Sequence, residues 1–61
     1  MSQSSGELLE QAYKSRAKAG IWMNWMLEKR RIPKGVLDYA IVQMERSLSI
    51  MKQIQAQGRG D

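Results

Sequence analysis

The sequence predicts an all-α protein, a two-helix antiparallel hairpin that dimerises into a four-helix bundle. Three observations carry this reading. One proline, Pro33, divides the chain near its middle, and the residues on both sides are mostly good helix formers. Neither a sustained apolar–polar alternation nor an Asn-Gly or Asp-Gly turn marks a strand. After Pro33 the apolar residues recur at alternating spacings of three and four, the period of helices packed in bundles.

Residues 1–6 read as a flexible N-terminal segment, followed by a helix over about 7–31. Ser4 stands three residues before Glu7, the spacing of a capping box. In that motif Ser4 accepts from the Glu7 backbone N–H, and the Glu7 side chain returns to the N–H of Ser4. Glu7 and Glu10 then lie near the positive end of the helix dipole, with Lys29, Arg30 and Arg31 near the negative end. The residue before a proline avoids the helical region, so a turn is expected over about 32–35. A second helix follows over about 36–57, and residues 58–61 read as a disordered tail.

Each helix carries an apolar stripe. On the second, Val36, Leu37, Ala40, Ile41, Met44, Leu48, Met51 and Ile54 share one side, opposite Asp38, Glu45, Arg46, Lys52 and Gln53. On the first, Leu8, Leu9, Ala12, Tyr13, Ala19, Gly20, Met23, Met26 and Leu27 form a broader stripe. The core and dimer contact is assigned to Leu9, Tyr13, Arg16, Gly20, Met23, Leu27, Leu37, Ile41, Met44, Leu48 and Met51. Both stripes are wider than a two-helix seam needs, so a lone hairpin would expose a ribbon of Leu, Met and Ile. Such patches mark association surfaces, and twofold dimers are the commonest assembly. The chain has 61 residues and no Cys, which leaves oligomerisation as the available staple for a thin core.

Two residues interrupt the first stripe. The stem of Arg16 can pack while its head snorkels to water, or Arg16 can pair across the bundle with Glu45 or near Ser47 and so fix register. Gly20 costs about 1 kcal/mol relative to Ala in mid-helix and, beside Ala17 and Ala19, permits a close crossing.

Away from the stripe, Ile21, Trp22 and Trp25 share a side with Lys14, Lys18 and Lys29. An aromatic patch ringed by lysine suits a protein partner. Lys29, Arg30, Arg31 and Lys34 cluster around the turn, and Arg30, Arg31 and Lys34 are the candidates for contacting nucleic-acid phosphates. Arg59-Gly60-Asp61 has the form of an integrin-recognition tripeptide, which in a polar chain end is read as coincidence.

The composition narrows the function classes. With no His and no Cys, imidazole bases, thiol nucleophiles and the usual zinc ligands are missing. The six acidic residues form no catalytic pair, and no Gly-rich phosphate loop occurs. The expectation is a non-enzyme with no metal and no cofactor. Ten Lys and Arg against six Asp and Glu give a net charge of +4, which favours acidic partners mildly. No signal peptide or membrane-spanning run is evident, so a cytoplasmic location is expected.

The leading functional expectation is a homo-oligomeric protein-interaction or regulatory module, paired with itself and with a second protein. The alternative is a helical-hairpin regulator binding RNA or DNA through its basic surface. A membrane-surface amphipath ranks third, because the regular second helix suits a bundle better than a lipid interface.

Overall fold

A computed structural model describes residues 4–58 as two α-helices, α1 (Ser5–Lys29) and α2 (Lys34–Ala56), packed against each other. Joined by the short connection Arg30–Pro33, the two helices pack along each other as an antiparallel hairpin. The expected all-α hairpin is therefore the observed fold of one chain.

The helix ends follow from local chemistry. The Ser4 hydroxyl accepts from the Glu7 backbone N–H at 3.2 Å, which makes Ser4 the N-cap and Ser5 the first helical residue. The helix thus starts earlier than expected, and Ser4–Gly6 belong to it or cap it. The return half of the capping box differs, because the Glu7 carboxylate accepts from the Ser4 hydroxyl at 3.2 Å. Residues 1–3 of the expected N-terminal segment lie outside the described residues.

At its other end α1 stops before residue 31. Arg30 adopts the left-handed conformation, with φ 53° and ψ 41°. The Arg31 N–H donates to the Met26 carbonyl at 3.2 Å, and the Arg30 N–H to the Leu27 carbonyl at 3.3 Å. This is the Schellman pattern, built here on arginine where glycine is usual. The turn therefore occupies Arg30–Pro33 and not 32–35. Pro33, at φ −64° and ψ 137°, precedes α2 with no side-chain cap, and its carbonyl accepts from the Leu37 N–H at 2.9 Å. Past Ala56 the chain turns at Gly58, where φ is 69°. Residues 59–61, with the Arg-Gly-Asp tripeptide, lie outside the described residues.

The two helices meet along a seam of mostly small side chains. On α1, Leu8, Ala12, Ser15, Ala19 and Met26 are buried; on α2, Ala40 and Ser47 are buried. Val36, Gln43, Ile50 and Ile54 are half-buried along the same stripe of α2. Both stripes have alternating spacings of four and three, and small residues at such positions let two backbones approach closely.

This seam is not the stripe assigned to the core and dimer contact. Leu9, Tyr13, Arg16, Met23, Leu27, Leu37, Ile41, Met44, Leu48 and Met51 are exposed in the hairpin, and Gly20 is half-buried. They occupy the neighbouring stripe, about 100° round each helix. The reason is size: long side chains facing one another would hold the helices apart, whereas Ala and Ser let them close.

The resulting core is thin. Among the described residues no large side chain is fully buried. Gln43 Oε1 is buried in the hairpin with no hydrogen-bond partner. The radius of gyration is 13.8 Å, where a compact domain of this length would have about 10.5 Å. Neither helix is long and apolar enough to cross a membrane.

Candidate functional site

The hairpin has two contrasting faces. The first carries the ribbon, in which the exposed apolar residues of α1 and α2 run side by side. The antiparallel geometry puts both ribbons on the same face, because each lies the same way round from its own seam. Leu27 is 78% exposed and Tyr13 66%, large values for apolar side chains arranged in so regular a line. At the turn end the ribbon deepens into a groove of about 650 Å³ lined by Met23, Met26, Leu27, Arg30, Ile32 and Leu37.

Arg16 is the one charged residue in the α1 ribbon, and it is exposed. Gly20 follows one turn later, and a Cβ added there would meet nothing within 4 Å. Within the hairpin, then, no close packing demands glycine at this position.

The second face is aromatic at the turn end. The rings of Trp22 and Trp25 have centroids 6.0 Å apart with planes at 65°. Trp22 also meets Tyr39 of α2 edge-on. Such edge-to-face pairs add to the stability given by burial alone. Pro33, Gly35, Val36, Trp22 and Tyr39 line a groove of about 540 Å³. Lys14, Lys18 and Lys29 are exposed, and Lys14 Nζ stands 3.8 Å from Glu10 Oε1.

The tryptophans do not point clear of the hairpin. Trp25 is half-buried and packs against the cluster of Ala19, Met26 and Ala40. Trp22 continues the spacing of Ser15, Ala19 and Met26, so it lies over the seam with one edge open. Ile21 is the member of the group that stands free, at 65% exposure. Tyr39 was not anticipated in this cluster; its place beside Val36 and Ala40, at the level of Trp22, is the signal that could have found it.

Arg30, Arg31 and Lys34 are exposed around the turn. Arg30 has its backbone committed to the helix cap and also borders the ribbon groove. Among the described residues no three His, Cys, Asp or Glu side chains gather where a metal ion could sit. The chain matches no family model, no curated protein and no solved structure.

Proposed function

We propose that this chain is a non-enzymatic interaction module, a half-bundle that pairs with a second copy through its ribbon and presents its aromatic face to an acidic partner protein. The observation that carries this reading is the ribbon itself, which lies beside a seam too thin to serve as a full core.

The surface area supports pairing. The hairpin exposes 5117 Å², whereas a compact protein of 7.0 kDa exposes about 4,000 Å². The excess, roughly 1,000 Å², is of the size each partner buries in a standard stable interface. The aromatic face suits a different role. Trp22 and Tyr39 give a rigid apolar platform, and Lys14, Lys18 and Lys29 supply positive charge nearby, a combination that favours a partner with acidic and apolar groups.

Sedimentation equilibrium at micromolar concentration tests the pairing. The expected mass is twice that of the chain, and Met44→Glu, which places a charge in the ribbon, returns it to one chain. A native protein that stays at the mass of one chain overturns the reading. Affinity capture with the native and Lys14→Glu/Lys18→Glu proteins tests the second face. The reversal should release the captured partner without altering the dimer mass; capture that survives it removes the acidic-partner reading.

A further inference from the structure

We infer that the second copy docks with its turn at the same end of the bundle, so that α1 of each chain faces α2 of the other. This rests on the pairing proposed above and assigns its geometry. Two twofold arrangements can cover a ribbon on one face of a hairpin. If the axis runs along the hairpin, the turns share an end and α1 faces the partner's α2. If the axis crosses the hairpin, the turns lie at opposite ends and each helix faces its own counterpart.

Charge along the outer edge of the ribbon separates the two. Beyond the ribbon on the helical wheel, α1 carries Glu10 and Glu28 about 100° round, and α2 carries Lys34, Glu45 and Lys52 about 60–80° round, with Asp38 about 100° round, level with the uncharged Asn24 of α1. Among the described residues the one ion pair within the hairpin joins Lys14 to Glu10. Arg16, Lys34, Glu45 and Lys52 therefore have no ionic partner among the described residues of their own chain.

Levels along the hairpin are set by Trp22, which meets Tyr39 across the seam. Stepping away from that contact brings residue 10 of α1 level with about residue 52 of α2, and residue 28 level with about residue 34. The same-end arrangement repeats these levels between chains. It places Glu10 opposite the partner's Lys52, Glu28 opposite the partner's Lys34, and Arg16 within reach of the partner's Glu45. Every such contact occurs twice by symmetry and joins opposite charges. The opposite-end arrangement, with the ribbons centred on each other, sets Glu10 near the partner's Glu28, and Lys34 near the partner's Lys52. Like charges face each other there, and a helix interface disfavours that.

The apolar contacts agree. Gly20 comes level with the partner's Ile41 and Met44, so the missing side chain makes room for two long ones. The same-end dimer also gathers both turn clusters at one end, a local repulsion that the Glu28–Lys34 contacts offset.

The chain has no Cys, so Arg31→Cys accepts a single nitroxide label at the exposed turn, for electron–electron distance measurement on a sample whose mass is determined in parallel. Helix axes about 8–10 Å apart put same-end labels on the order of 20 Å apart, whereas opposite-end labels approach the 41 Å length of the hairpin. A dimer with the long distance overturns the same-end geometry and leaves pairing intact. A single-chain mass overturns the pairing itself. Charge exchange gives a second readout. Arg16→Glu should weaken the dimer about tenfold, allowing two symmetric contacts of a size known for exposed ion pairs. Combining it with Glu45→Arg should restore most of that loss; no restoration counts against the same-end contact.

Discussion

The Trp22 indole meets the Tyr39 ring edge-on across the seam, with centroids 6.5 Å apart and planes at 82°. This aromatic contact ties α1 to α2 near the turn, beside the cluster of Ala19, Met26 and Ala40. Trp22→Ala should lower hairpin stability by about 2 kcal/mol, from lost burial plus the aromatic pair term. Tyr39→Phe keeps the ring and should change stability by less than about 0.5 kcal/mol. Urea denaturation followed by far-ultraviolet circular dichroism checks both, and equal losses would show that the ring contact is not the cause.

Arg30→Gly should stabilise the hairpin by about 1 kcal/mol. An L-residue at positive φ crowds its Cβ against the backbone, and glycine does not. The same denaturation curves read the gain. A loss would mean that the Arg30 stem, packed along the ribbon groove, contributes more than its backbone strain costs.

Ser4→Ala should cost about 1 kcal/mol, because it removes the acceptor for the Glu7 N–H. Ser4→Asp should recover most of that. Amide hydrogen exchange gives the sharper reading: protection should fall in the first turn of α1 and stay unchanged near Trp22.

Gly20→Ala should raise helix stability by about 1 kcal/mol in the monomeric Met44→Glu background, since the new methyl meets nothing in the hairpin. In the paired protein the gain should shrink, as the methyl takes space left for the partner. Equal gains in both backgrounds would place Gly20 outside the dimer contact.

The sequence was legible where single residues dominate. Pro33 set the division into two helices, and Ser4 with Glu7 marked the cap of α1, although the helix begins at Ser5 and not at residue 7. The seam was legible only in part: Leu8, Ala12, Ala19, Met26, Val36, Ala40 and Ile54 lie in the stripes read from the sequence, but apolar patterning gives most weight to Leu, Ile and Met and does not separate seam from ribbon. Most of those residues form the ribbon, while the middle of the seam is written in Ala12, Ser15, Ala19, Ala40 and Ser47, which carry little hydrophobic signal. What the pattern missed was that bulk keeps helices apart, so the less greasy of two adjacent stripes can be the one that closes. The same error displaced the tryptophans. Trp22 looks free when the ribbon is taken as the core, and falls over the seam once Ala19 and Met26 are placed there. The early stop of α1 was hidden for another reason, since an arginine gives no sign that it will adopt a glycine-like conformation.

A seam lined with alanine and serine also inverts the usual tolerance to substitution. Ordinary cores suffer most when side chains are trimmed, but Ser47→Ala removes little here, and Ala19 has almost nothing left to trim. Enlargement is the hazard: Ala19→Leu would wedge the backbones apart along their whole contact. Random change in this stripe therefore meets a ratchet that permits smallness and rejects growth, while the ribbon beside it is free to vary in shape as long as it stays oily.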